Sequence, residues 1–275
     1  MTYSTLMIHL ELEHSKDARL QVAGDLAEAF DAKVIGIAAC DSSAPPYYAD
    51  SAFAQRLLTQ DRIEVNKQLD IAAERFHSNL KGRAKTLEWR STLSAPTTYV
   101  AREARAADLI ITGANFDGSL LDPSRRLNPN ALVIEAGRPV FIVPSEAKWL
   151  KSWNVLVAWK DTREARRAVL DGLPLLQKAN EVNVIEIVED SNASAAQSRV
   201  NDVVSWLAQH GVQGRGMVAD AKEAIQDQLD STASNLGADF IVAGAYGHAR
   251  LTEWVFGGVT RELLTRSTRC SMLSH

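Results

Sequence analysis

Ala107-Asp108-Leu109-Ile110-Ile111-Thr112-Gly113 and Ala238-Asp239-Phe240-Ile241-Val242-Ala243-Gly244 are one pattern written twice, 131 residues apart (107 to 238). Each copy is an acidic residue, a short apolar run and a glycine. An apolar run of this length suits a strand buried on both faces, as parallel sheets require. The same offset relates Arg138-Pro139-Val140-Phe141-Ile142-Val143 to Arg269-Cys270-Ser271-Met272-Leu273-Ser274. Near the start of each half the pattern gives an offset of 150. There Thr5-Leu6-Met7-Ile8 answers Val155-Leu156-Val157-Ala158, and Val34-Ile35-Gly36-Ile37 answers Val184-Ile185-Glu186-Ile187. Two constant offsets point to a duplicated domain. Their difference of 19 places extra residues between Asp41 and Lys85 of the first half.

Working outward from these runs, each half alternates strand and helix. In the second half we expect strands at 154–159, 182–188, 212–218, 240–244 and 270–273. Helices fall between them, from a cap at Asp161 or Thr162 to about Leu176, then at 195–210, 221–236 and 258–266. Val200, Val203, Val204 and Leu207 share one face of the second of these helices. A β-α-β-α order implies a parallel sheet with helices on both faces. The expected fold class is therefore α/β, with two tandem doubly wound domains at 1–146 and 151–275 and a linker at 144–148. In the first half, 51–80 reads as one long helix, with Leu58, Val65, Leu69, Ala72 and Phe76 at helical spacing. It either packs on its own sheet or, with Pro45-Pro46-Tyr47-Tyr48, forms an interaction surface or lid.

Composition narrows the function classes. Of 275 residues, 46% are apolar and 23% charged, enough apolar surface for folded domains. The net charge of −4 lacks the basic footprint of a nucleic-acid binder. Cys40 and Cys270 lie in apolar segments and read as buried thiols, not a disulfide. His9 and Glu11 break the N-terminal apolar stretch and no basic region precedes it, so no signal peptide is expected. No run approaches the ~20 apolar residues of a membrane span. The expected location is the cytoplasm.

The segment with chemical potential is Gly244-Ala245-Tyr246-Gly247-His248-Ala249-Arg250-Leu251-Thr252-Glu253-Trp254-Val255-Phe256-Gly257-Gly258-Val259-Thr260. Its skeleton, Gly-x2-Gly-x9-Gly-Gly-Val-Thr, leaves a buried strand and enters a helix. Ligands of open α/β sheets bind beyond the carboxyl ends of strands. Glycines there admit phosphate oxygens close to backbone N–H groups, and a helix start adds donors. His248 and Arg250 can supply positive charge at the rim. Trp254 is a packing anchor or a ligand stack.

This loop, with Val155-Leu156-Val157-Ala158-Trp159-Lys160-Asp161-Thr162 and the quoted fourth strand, resembles the universal stress protein family, in two copies and over nearly the whole chain. The resemblance implies a five-stranded sheet of order 3-2-1-4-5 in each half. It also implies dimer-like pairing of the two halves as an intramolecular pseudo-dimer, or of two chains as a homodimer. The implied ligand is ATP or another adenine nucleotide, with or without Mg2+, and the implied role is that of a stress-response binder or regulator rather than an enzyme. Carried onto this sequence, the phosphate loop is Gly244, Gly247, His248, Gly257, Gly258, Val259 and Thr260. Ala158, Trp159, Lys160 and Asp161 lie under the ribose and adenine, and Ile187 meets the base.

Two positions depart from the family pattern. Gly258 stands where binding members carry Ser or Thr, and Lys160 where they carry Asp. A lysine cannot accept a hydrogen bond from ribose. These losses leave open an interaction protein that has lost its nucleotide. A second alternative is an enzyme, a slow ATPase or a nucleotidyl-type transferase, for which the loop shows no convincing general base or nucleophile. The first half departs further, with Phe116, Arg126, Leu127 and Pro129 at the places of Gly247, Gly257, Gly258 and Thr260. Bulk and a missing donor there point to a structural or recognition role.

No catalytic residue or metal ligand is expected. The six histidines, at 9, 14, 77, 210, 248 and 275, show no metal-binding spacing. Ser42 and Ser43 sit in no nucleophile elbow. Gly211–Gly216 precedes a strand instead of following one, unlike a dinucleotide fingerprint.

Overall fold

A computed structural model describes residues 2–12, 18–42, 52–114, 125–147, 150, 153–189, 193–247, 258–265 and 268–275. The first half runs β1 (Thr5–His9), α1 (Ala18–Phe30), β2 (Lys33–Ala39), α2 (Ala52–Leu80), β3 (Leu87–Thr92), α3 (Pro96–Glu103), β4 (Leu109–Gly113), α4 (Pro129–Glu135) and β5 (Val140–Val143). The second runs β6 (Asn154–Ala158), α5 (Arg163–Asp171), α6 (Leu173–Lys178), β7 (Glu181–Val188), α7 (Ala193–Gln209), β8 (Gly214–Asp220), α8 (Ile225–Asn235), β9 (Phe240–Gly244), α9 (Gly258–Thr265) and β10 (Cys270–Ser274).

The strands form one ten-stranded sheet of order β3-β2-β1-β4-β5-β10-β9-β6-β7-β8. Within each half the order is 3-2-1-4-5 and the pairing parallel. The expectation of two separate five-stranded sheets is corrected, because β5 and β10 pair antiparallel, Phe141 opposite Met272. Each would otherwise be an edge with unsatisfied N–H and C=O groups. Across this seam the rings of Phe141 and Phe240 meet edge to face at 5.5 Å. Arrangements of that kind contribute about 0.5–1.5 kcal/mol beyond the area they bury.

Helices cover both faces, and each apolar layer is continuous across the seam. One layer packs α1, α2, α5, α6 and α7 under residues such as Leu6, Ile8, Val155 and Val157. The other packs α3, α4, α8 and α9 over Met7, Ile110, Leu156 and Ile241. Phe30 of α1 lies edge-on to Trp153 at 6.3 Å, and the Leu150 N–H donates to Asp25 at 3.2 Å. These contacts tie the approach to β6 back to α1.

Pairing corrects the repeat offsets near the start of each half. Leu6 pairs with Leu109 as Val155 pairs with Phe240, so the β1 offset is one residue shorter than the sequence pattern suggested. In β2 it is two residues shorter, since Val34 and Val182 hold the same place. A strand that is apolar on both faces reads alike in neighbouring registers, and only pairing selects one. Three element boundaries also move. The helix expected through Leu176 breaks at Gly172, because Pro174 occupies the first turn of α6. The strand expected at 212–218 begins at Gly214. Gly211 (φ +79°) terminates α7 and the Val212 N–H returns to the Leu207 carbonyl. The helix expected at 221–236 is shorter, Ile225–Asn235.

The long helix of the first half is present as α2, 29 residues. Ala72, Phe76 and Leu80 are fully buried, while Val65 and Leu69 pack on Ala38 and Cys40 at the carboxyl end of β2. Both cysteines are free and buried.

Candidate functional site

The carboxyl ends of β6, β7 and β9 meet at the switch in strand order of the second half. There β6 runs out at Ala158, and the Trp159 N–H donates to the Ile185 carbonyl at 2.8 Å. Trp159 turns its buried ring into the α5–α7 layer, whereas half-buried Ala158 faces the α8–α9 side. Lys160 and Asp161 are exposed, and Asp161 accepts from Arg166 at 2.6 Å. Of the two candidate caps, Thr162 takes the role, its hydroxyl accepting from the Ala165 N–H at 3.2 Å.

Two glycines of the loop, Gly244 and Gly247, touch α5. A Cβ on Gly244 would lie 2.5 Å from the Ala165 nitrogen and 2.6 Å from the Glu164 carbonyl carbon, so this glycine admits the first turn of α5 against β9. A Cβ on Gly247 would lie 2.9 Å from Oε2 of Glu164 and 3.0 Å from Oγ1 of Thr162. Glu164 is only 5% exposed. Burial alone raises its carboxyl pKa. The Arg163 guanidinium, its own backbone N–H and the Thr162 hydroxyl outweigh burial and hold it below the usual carboxylate value. An ionised carboxylate therefore lies against Gly247.

Tyr246 sits between these glycines with φ +61°, a conformation costly for a side chain with a Cβ. Its hydroxyl donates to Oδ1 of Asn130, on α4 of the other half, at 3.1 Å. Burial pushes that hydroxyl pKa up to about 12, so it stays protonated and able to donate.

On the α8–α9 side, half-buried Ala158, Ile187, Met217, Ala219, Tyr246 and Val259 form an apolar shelf above the core. Ala158, Ile187 and Val259 were expected from the sequence. Met217 and Ala219 were missed, although their i, i+2 spacing in β8 puts them on one face. Tyr246 and Glu164 were also missed. Gly258 opens α9 and Thr260 is buried within it. His248, Arg250, Trp254 and Gly257 lie outside the described residues.

The same location in the first half is filled by protein. A Cβ on Gly113 would meet Nη1 of Arg19 at 3.0 Å. Arg19, 5% exposed, pairs with Glu11 at 3.3 Å. Beside them buried His9 contacts the Thr112 hydroxyl at 3.3 Å through Nδ1. The helix α2 crosses the strand ends, pinned by Arg75 donating to the Glu11 carbonyl at 2.9 Å and by a two-point pair between Asp61 and Arg125. Pro129 begins α4, where no N–H is needed, behind the Asn128 cap. Phe116 lies outside the described residues.

Among the described residues no group of three or more His, Cys, Asp or Glu is placed to hold a metal ion, and no helix is long and apolar enough to cross a membrane. No protein-family model and no curated protein matches the chain. Solved structures do. A universal stress protein from Archaeoglobus fulgidus DSM 4304 superposes with a TM-score of 0.71 at 13% identity, over 98% of this chain and 95% of that one. A universal stress protein, described as putative, from Pseudomonas aeruginosa UCBPP-PA14 gives 0.63 at 14%, over 99% and 93%. A functionally unknown protein from Pseudomonas aeruginosa PAO1 gives 0.62 at 16%, over 99% and 92%. The shared property at these identities is the fold, along almost the full length of each chain.

Proposed function

We propose that this chain is a tandem universal stress protein whose second half binds an adenine nucleotide and whose role is regulatory rather than catalytic. The observation that carries the reading is the apolar shelf at the carboxyl ends of β6, β7 and β8. Its half-buried small and branched side chains offer a flat surface for a purine, at the place where sheets of this type receive ligands. The start of α9 at Gly258, next to Val259 of the shelf, adds backbone N–H donors. Ala158, Ile187, Met217 and Ala219 would hold the base, and Val259 and Thr260 the far side of the ligand. Mg2+ would accompany the phosphates, since among the described residues no cluster of His, Cys, Asp or Glu is placed to cage it.

Among the described residues, none at the shelf is placed as a general base or nucleophile toward a ligand. Glu164 is the carboxylate nearest the Gly247 backbone in the described structure, and it is engaged by Thr162 and Arg163. Uniform binding of substrate and transition state does not accelerate a reaction. Melting the protein with and without adenosine, AMP and ATP tests the binding. A ligand at a hundred times its Kd stabilises the native state by about 2.7 kcal/mol, and no shift with any of the three would refute the reading. Phosphate release from ATP tests the absence of catalysis, and turnover above ~1 per second would place the protein among enzymes.

A further inference from the structure

The fit of the crevice to a nucleotide is uneven. The shelf suits a base, but the ground beside Gly247, where a phosphate chain would run, already carries a negative charge. Oε2 of Glu164 is the nearest heavy atom to the Cβ position of Gly247, at 2.9 Å, followed by Oγ1 of Thr162 at 3.0 Å. The carboxylate is not a mobile surface group. Its residue is buried, its backbone belongs to the first turn of α5, and Arg163 and Thr162 hold it. Its position is set by the close seating of α5 on Gly244, which leaves that turn no room to withdraw.

Such a group does to a phosphate chain what a like charge does in any low-dielectric site. Repulsion between unit charges a few ångströms apart is large there and weakly screened by salt. The start of α5 attracts anions through its free N–H groups, and Glu164 supplies that anion from within the chain. A ligand phosphate must displace Glu164 or accept its field. A neutral nucleoside meets neither penalty, because the shelf lies on the opposite side of the sheet from α5.

We propose that Glu164 sets the ligand specificity of the second-half crevice, so that it takes an adenine nucleoside or a nucleotide of low phosphate charge and turns away the triphosphate. The proposal rests on the nucleotide-binding reading above and names the ligand class of that same site. Arg163 offsets only part of the effect, because its largely exposed guanidinium meets Oε1, while the oxygen facing Gly247 is Oε2.

Titration calorimetry with adenosine, AMP and ATP, on the wild-type chain and on Glu164→Gln, tests it. For the wild type we expect affinity to fall in the order adenosine, AMP, ATP, with at least about a tenfold gap between the first and last, or about 1.4 kcal/mol. In Glu164→Gln the ATP affinity should rise by about tenfold or more, while adenosine stays within about threefold. The wild-type order needs no variant, so the proposal stays testable even if the substitution unfolds the chain. ATP binding the wild type as tightly as adenosine would overturn the proposal and leave nucleotide binding standing. An unchanged ATP affinity in a folded Glu164→Gln would do the same. Binding of none of the three ligands to either protein would overturn both. ATP binding gained only in the variant would support both.

Discussion

The two halves place the same strand ends at the same switch point and fill the space above them in opposite ways. In the first half, Arg19 and Glu11 lie over Gly113, His9 leans on Thr112, and α2 is strapped across the opening by Arg75 and Asp61. In the second half α5 sits tight on Gly244, one carboxylate stands at the rim, and small apolar side chains line the opening. Under the proposed function, the side chains at the two switch points are what leave only the second half open to a ligand. The sheet is alike in both halves, and what differs lies at a few positions at strand ends.

The sharpest way to break this comparison is ligand stoichiometry. We expect one adenine ligand per chain. Ala158→Trp, which covers the shelf, should weaken adenosine binding at least about a hundredfold, or about 2.7 kcal/mol. Gly113→Ala in the first half should leave affinity unchanged. Titration calorimetry reads both, and a stoichiometry near two would make the first-half crevice a working site.

Stability separates the halves next. Arg19→Ala strips the cation from a carboxylate inside the first half, and breaking a buried pair this way costs about 3 kcal/mol, the low end of the usual range because Glu11 is partly exposed. Replacing both members by leucine should recover most of that loss. Urea unfolding measures it, and a single-variant cost under about 1 kcal/mol would mean that the pair acts as a surface pair.

A comparison of glycines comes third. Gly244→Ala drives a Cβ into the backbone of α5, which cannot yield without unseating the helix, and should cost about 2–3 kcal/mol. Gly113→Ala meets only the far end of the Arg19 side chain at 3.0 Å and should cost about 1 kcal/mol or less. Equal costs in urea unfolding would contradict the different seating of α1 and α5.

What was legible in the sequence follows from these contacts. The runs at β4, β5, β9 and β10 could be matched by eye, because strands buried on both faces are continuous apolar words bounded by turns. The register of β1 and β2 could not, since a both-faces-apolar strand looks the same when slipped. The joining of the two sheets into one depends on β5 meeting β10, a contact between segments far apart in the chain. Pro174 carried the signal for the break between α5 and α6, but the expected helix ran through it to about Leu176. Gly211 stands at the end of α7, where the expected helix also stopped. Of the apolar shelf, Ala158, Ile187 and Val259 were named from strand order and the family resemblance. Glu164 was not. Its place in the sequence is an ordinary helix first turn, and only the crossing of α5 over β9 brings it to Gly247.

The smallest effect concerns how the halves touch at the loop. Tyr246 holds a left-handed backbone between Gly244 and Gly247, and its hydroxyl reaches Asn130 on α4 of the other half. A part-buried hydrogen bond of this kind contributes about 1 kcal/mol net, so Tyr246→Phe should lower stability by about that amount. Asn130→Ala also removes a contact within its own cap, because the Asn130 side-chain nitrogen donates to Oδ1 of Asn128 at 3.2 Å, while the backbone N–H keeps its bond to the same oxygen. The two single losses therefore cannot be compared directly. A double-mutant cycle isolates the shared part, with an expected coupling of about 0.5–1.5 kcal/mol in urea unfolding. If the hydrogen bond also links the loop to the first half, adenosine affinity should change by a similar factor in Tyr246→Phe and Asn130→Ala, although Asn130 is no part of the shelf. A coupling near zero would mean that the seam between β5 and β10 joins the halves without help from the loop.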